Sequence, residues 1–264
     1  MGALTTITRG KSRFYVDADT GAKVPGVTSV LSMQPKTFLQ FWAAKTVAEN
    51  AVQNLPSLVG LVLNDPSGAV DYLKGAPRRI TKEAADTGSA AHDLFERLAR
   101  GEDVGRVHPD LEPFVTHFRE FLAVVKPEFL FIEDAVWSDA HAYAGSFDAI
   151  CRIGDETVIV DFKTTRSGVH EDVALQLAAY ANADRIVRAD TGESVPVPAI
   201  DAAAVLHVRP EGWKLVPVRT SPELFDVFVH LRAVFDWEHR IKQGVIGRPV
   251  ASGGVAETGT QRRK

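Results

Sequence analysis

The chain has 264 residues, 45% of them hydrophobic and 24% charged, as expected of an ordinary globular protein with one large domain or a core carrying an extension. The formal net charge of −4 excludes a protein that coats nucleic acid through a basic excess, and no apolar run approaches the roughly 18 residues of a membrane helix. A single cysteine, Cys151, excludes an internal disulfide, a cysteine-rich zinc site and a protein-ligated iron–sulfur cluster. The N-terminus carries no secretory pattern, so the expected location is cytoplasmic.

Residues 14–16, then Gly21 and Pro25-Gly26, read as a short strand and a turn. Over residues 37–52, Phe38, Phe41, Trp42 and Val47 recur at helical spacing. Pro56, Pro66, Gly68, Gly75 and Pro77 break residues 53–80 into short helices and loops. Lys74, Arg78, Arg79 and Lys82 cluster there, and read either as a solvated helix end or as a phosphate track. A longer helix is predicted over residues 81–99, with Ala91, Leu94, Phe95 and Leu98 as its apolar stripe and Gly101 as its stop. A further helix over residues 109–125 ends before Pro127.

The texture then changes to three consecutive strands at residues 129–137, 143–153 and 157–164. A helix over 172–189, strands at 202–208 and 213–218, and an amphipathic helix over 222–241 complete the order. Residues 247–264, rich in Gly, Ser, Thr and basic side chains, are expected to be a disordered tail. The resulting division is a strand and helical extension over 1–80, a core over 81–246 and the tail. No GxxxxGK[ST] segment is present, so no ATP-driven motor is encoded in these residues.

The most informative stretch is AGSFDAICRIGDETVIVDFKTT, residues 144–165. Gly154-Asp155 is a favoured two-residue hairpin loop. With it as the turn, Ile153 faces Glu156, and counting back sets Asp148 opposite Asp161, with Cβ atoms roughly 4.5–5.5 Å apart. By period-two alternation Phe147, Ala149, Cys151 and Ile153 share a core face with Val158, Val160 and Phe162, and the other face carries Asp148, Asp161 and Lys163. Two opposed carboxylates repel and lose solvation unless something compensates them. A divalent cation held by both does so, and hard oxygen donors suit magnesium or manganese. Beside it, Lys163 can orient a water or stabilise charge on an attacked phosphate. Asp161–Lys163 also reads as a surface ion pair worth little, with Asp148 an acid near a turn.

These residues resemble a known family. Glu133, GSFD ending at Asp148, and Asp161-Phe162-Lys163 resemble the PD-(D/E)XK nuclease superfamily, and QLAAY, with Gln176 and Tyr180, resembles the QxxxY motif of its RecB-like exonuclease branch. DTGSAAHDLFE, residues 86–96, resembles the helix that brings a histidine to the metal in that branch, here His92. VTSVLS and FLQFWAAK, in residues 27–45, are similar to stand-alone RecB-like exonucleases of phage genomes. The motifs run in order over about residues 82–180.

The resemblance implies an α/β fold, with a restriction-endonuclease-like core of mixed central β-sheet flanked by helices and a helical N-terminal extension. It implies His92, Asp148, Asp161 and the Phe162 carbonyl as ligands of one or two Mg²⁺ or Mn²⁺ ions. Lys163 is then the catalytic lysine, and Glu133 binds metal through water or orients a nucleophilic water. Gln176 and Tyr180, four apart on one helix face, contact the substrate strand. The cysteines that hold an iron–sulfur cluster in many relatives are absent, as is a fused helicase. The expectation is a metal-dependent DNA exonuclease of recombination, repair or phage replication, in the host cytoplasm if phage-encoded, drawing processivity from a helicase or recombination partner, from a homo-oligomer, or not at all. An endonuclease of the same fold, a catalytically idle DNA-binding subunit, and a hydrolase of small phosphate compounds are its rivals. On the residues alone, His92 and Tyr180 read equally as a satisfied polar residue and as core packing, and Glu96, one turn on, as a hydrogen-bond partner of His92 or a solvated acid.

Overall fold

A computed structural model of the chain describes residues 4–251, 253 and 254. Strands β1 (Thr5–Arg9), β2 (Ser12–Val16) and β3 (Lys23–Pro25) form a small antiparallel sheet, followed by the short helix α1 (Val27–Leu31). A helical N-terminal region follows: α2 (Phe38–Gln53), α3 (Leu55–Asn64), α4 (Pro66–Lys74) and the long α5 (Ala76–Ala99), and then α6 (Glu112–Val125). Pro56, Pro66 and Pro77 open α3, α4 and α5 instead of interrupting them, because a first-turn N–H has no intrahelical partner to lose. This is why α5 begins at Ala76, earlier than the sequence suggests.

Strands β4 (Glu128–Ile132), β5 (Ala135–Ser138), β6 (Tyr143–Ser146), β7 (Ala149–Ile153) and β8 (Glu156–Lys163) come next. After them stand α7 (Asp172–Ala181), β9 (Arg185–Val187), β10 (Ser194–Pro196), β11 (Ala202–Arg209), β12 (Gly212–Val218) and α8 (Pro222–Asp236), which runs into a π-helical turn, Trp237–Ile241. The central sheet has the order β12-β11-β8-β7-β4 and is mixed, since β8 and β11 are parallel and the other pairs antiparallel. The protein is thus α/β. A second, antiparallel sheet has the order β10-β9-β5-β6.

Two of the expected long strands are corrected here. The chain kinks at Glu133-Asp134 and again at Phe147-Asp148, so residues 129–137 and 143–153 each divide between the two sheets. The kink also corrects the expected position of Phe147. It packs with Val136, Tyr143 and Ile150, while Ala149, Cys151, Val158, Val160 and Phe162 pack on the opposite face of the central sheet. The expected helix over 172–189 ends at Ala181, because residues 185–187 pair with β5.

Both faces of the central sheet are covered. Phe95, Phe118 and Phe121 of α5 and α6 pack over one face, with Phe95 and Phe118 stacked at 4.5 Å between centroids. Leu177 of α7 and Phe228 of α8 pack over the other, against Ile150, Ile159 and Val205. By contrast α2, helical as its spacing predicts, buries only Thr46 and leaves Phe38, Phe41 and Trp42 exposed. Among the described residues no helix is long and apolar enough to cross a membrane. The expected tail lies outside the described residues at 252 and 255–264; its described part forms no helix or strand.

Candidate functional site

The hairpin behaves as its turn chemistry dictates. Gly154 takes φ 60°, Ile153 pairs with Glu156, and the register runs unbroken to Ala149 opposite Val160. One step further lie Asp148 and Asp161, where the ladder ends. Asp148 is therefore a hinge residue instead of a mid-strand one, and its Oδ2 accepts a hydrogen bond from the Phe162 backbone N–H. The irregularity in the sheet falls elsewhere, between Phe129 and Phe131 on β4.

Glu133 occupies the matching hinge on the neighbouring strand. Its N–H donates to the Asp148 carbonyl at 2.9 Å, and the Phe147 N–H donates to the Asp134 carbonyl at 3.0 Å. Glu133 sits at φ 53°, a left-handed conformation that costs a non-glycine residue roughly 1–3 kcal/mol and tends to occur at functional sites. Asp134 next to it has structural work: it is buried, accepts from the Ala189 N–H at 2.8 Å and pairs with Arg188.

His92 comes from α5. Ala91 and Phe95 enter the core, which turns His92 by one position onto the rim, its ring against Phe95 and Phe162. Nδ1 lies 3.7 Å from Asp148 Oδ1. Donor atoms of His92, Glu133 and Asp148 all fall within 4.8 Å of one another, the one such grouping among the described residues. Asp161 lies outside that grouping, buried, its carboxylate engaged by Lys163 and Gln176. Lys163 Nζ donates to Oδ1 at 2.7 Å and makes an ionic contact with Oδ2 at 2.6 Å, and Gln176 Nε2 donates to Oδ1 at 3.1 Å. Gln176 also donates to the Tyr180 hydroxyl at 3.2 Å, and Tyr180 is fully enclosed.

The electrostatics follow from this crowding. Burial pushes the Glu133 carboxyl from 4.5 to about 7, helped by the Asp148 charge and opposed by His92. Burial also raises Asp161, with Lys163 pulling it down and Asp148 pushing it up. At His92 burial works against the proton, but the Asp148 carboxylate outweighs it and the pKa is raised. Three groups thus hold protons more tightly than usual, Glu133 and Asp161 chiefly through burial and His92 through the Asp148 carboxylate.

All eight sequence-assigned residues lie at the carboxyl end of β8, where open α/β sheets bind their ligands. Three details differ from the sequence reading. Tyr180, expected to contact the substrate strand, is buried and can act on it only through Gln176. Glu133 stands with His92 and Asp148 in direct reach of one point, while Asp161 is outside that grouping. Glu96 does not partner His92; Arg100 holds it at 2.9 Å and also donates to the Ile132 carbonyl at 3.0 Å, bracing the Glu133 hinge. The sequence signal for that brace was the i, i+4 spacing of Glu96 and Arg100. The basic cluster is largely engaged on its own helices, with Lys74 against Asp71, Arg79 over Tyr72 and Lys82 against Asp86.

No family model matches this chain, and no curated protein matches it. Among solved structures it is similar to one described as "Crystal structure of SSO0001", with 14% identity, 76% of this chain and 85% of that chain covered, and a TM-score of 0.30. A likeness that slight carries no argument.

Proposed function

We propose that the chain is a divalent-metal-dependent deoxyribonuclease of the PD-(D/E)XK superfamily, RecB-like branch, acting as an exonuclease. The observation that carries this reading is the convergence of His92, Glu133, Asp148, Asp161 and Lys163 at one strand end, from segments spread over 72 positions (92 to 163, counted inclusively). The donor set fits a cation: an imidazole nitrogen and carboxylate oxygens within 4.8 Å, with Glu133 driven up by burial and by Asp148. An oxygen-rich set of this kind suits Mg²⁺ or Mn²⁺. His92, Glu133 and Asp148 would hold it; Asp161 and the Phe162 carbonyl as further ligands rest on the resemblance. A bound divalent cation supplies charge neutralisation at the phosphate and an acidified water.

The remaining work falls to the chain. Glu133, at the same point as His92 and Asp148, would hold the cation or orient the attacking water beside it. Lys163 fixes the Asp161 carboxylate and has a further N–H for the phosphate, where added charge develops in the transition state. Gln176 holds both Asp161 and Tyr180, so it positions the carboxylate from behind as well as facing the groove. The choice of DNA, of end-directed cleavage, of a helicase or recombination partner or oligomer, and of recombination, repair or phage replication in a cytoplasmic setting rests on the resemblance.

The test is Mg²⁺- and Mn²⁺-dependent degradation of end-labelled linear DNA, single- and double-stranded, beside closed circles, with Asp148→Asn and Lys163→Ala as controls. Loss of linear DNA that spares circles and fails in both variants is the expected result. Nicked circles would make it an endonuclease; activity surviving both variants would move the site elsewhere. One observation favours a second reading, an idle DNA-binding subunit: Lys163 itself meets both Asp161 oxygens. That reading gains if DNA binds and no metal supports cleavage.

A further inference from the structure

Beside the site, between the end of β8 and the start of α7, lies a partly enclosed cavity of about 130 Å³. It holds the equivalent of about four waters at roughly 30 Å³ each, which is room for a ring system. Lys163 and Gln176 form the wall it shares with the candidate centre. Val169 and Val173 give it an apolar wall, and the His170 imidazole stands exposed beside them, its Nε2 fixed by the Ser167 hydroxyl at 2.8 Å. The loop is tied in place from behind, because the Thr165 carbonyl faces His207 Nε2 at 2.8 Å and Arg209 donates to the Arg166 carbonyl at 2.7 Å.

The chemistry of this lining discriminates between ligands. A phosphate seat needs uncommitted cations or aimed N–H groups. Here the one lysine already meets both Asp161 oxygens and keeps a single N–H, which the scissile phosphate takes, and Asp172 adds a negative charge, neutralised by Lys36 at 3.1 Å. Apolar walls, an aromatic ring and acceptor oxygens on Thr165 and Gln176 suit a flat heterocycle with polar edges. We propose that this cavity seats the nucleobase of the nucleotide adjoining the scissile phosphate, stacked against His170. This deepens, and rests on, the nuclease reading. The seat makes few edge-specific contacts, so it accepts any base and rejects a nucleotide that lacks one.

The experiment uses the full chain with Mg²⁺ and three probes: deoxyadenosine 5′-monophosphate, thymidine 5′-monophosphate and deoxyribose 5-phosphate, each titrated calorimetrically. Both nucleotides should bind at least about tenfold more tightly than the sugar phosphate, the scale of one stacking contact. His170→Ala should remove that advantage, His170→Phe should keep it, and the sugar phosphate should not distinguish the variants. Equal binding of all three probes, no binding of any, or indifference to His170→Ala overturns the proposal. The same variants on end-labelled DNA separate the two readings. Base-dependent binding with no DNA cleavage sinks the nuclease and leaves the seat. Cleavage indifferent both to His170→Ala and to an abasic nucleotide at the scissile position sinks the seat and leaves the nuclease.

Discussion

Replacing Glu133 by glutamine should stabilise the metal-free protein, and the gain should appear only above acid pH. The folded protein raises this carboxyl from 4.5 to about 7, so between those values the folded state holds a proton that the unfolded chain has released. Stability attributable to Glu133 therefore falls as pH rises through that window and is level above it. At about 1.4 kcal/mol per tenfold, the displacement corresponds to about 3 kcal/mol, and because Glu133 is only half-buried, screening reduces the expectation to about 2 kcal/mol. Urea unfolding in EDTA at pH 4, 6 and 8 measures it. Wild type and Glu133→Gln should coincide at pH 4 and separate by about 2 kcal/mol at pH 8 in favour of the variant. Some slope persists in the variant, since His92 and Asp161 are also raised and act in the same direction. Adding Mn²⁺ at pH 8 should stabilise wild type more than the variant. A difference independent of pH would refute the claim that an ionised Glu133 is strained by its burial beside Asp148.

Lys163→Ala should lower activity by about a hundredfold or more and cost about 2 kcal/mol at pH 8, since it strands the buried Asp161 carboxylate. Adding Asp161→Asn should recover most of the stability but none of the activity, and simple additivity in urea unfolding would show that the pair is not coupled. Phe95→Ala, removing a ring stacked on Phe118 and edge-on to Phe162, should cost about 3–5 kcal/mol, read by chemical denaturation. Gly145→Ala puts a Cβ 2.7 Å from a Tyr180 ring carbon and 3.0 Å from Val27, and should cost about 1–3 kcal/mol while slowing cleavage through displaced Tyr180 and Gln176; normal stability would mean that the Tyr180 ring yields without cost. Phe41→Ser, at a side chain 77% exposed, should change stability by less than about 0.5 kcal/mol. A large loss there would mean that α2 is covered in solution.

The hairpin was legible because its determinants are local: a Gly-Asp turn and strict alternation fix the register from Ile153-Glu156 back to Ala149-Val160. His92 and Gln176 were legible as motif positions, though nothing local says that α5 and α7 bring them to the same strand end. The hinges at Glu133 and Asp148 were hidden. Both lie in runs that read as continuous strand, and only the second sheet, whose β9 partner comes some fifty residues later, gives the chain a reason to turn. The same distant pairing explains the shortened α7: residues 182–189 carry no strong helix breaker, but Ile186 and Val187 gain more by joining β5. Exposure of the α2 aromatics was equally hidden, since periodicity reports a face and not what covers it.

The position of the two hinges has a mechanical consequence. Glu133 and Asp148 are the residues at which β4 leaves for β5 and β6 hands over to β7, so each belongs to the seam between the two sheets. Asp161 and Lys163, by contrast, are carried wholly by the central sheet, and His92 by a helix packed on it. A small rotation of one sheet against the other would therefore act at Glu133 and Asp148, which a backbone hydrogen bond joins, before it reached the Asp161–Lys163 pair. A cation bridging the seam would act as a rivet there, joining the small sheet to the large one as it completes the centre.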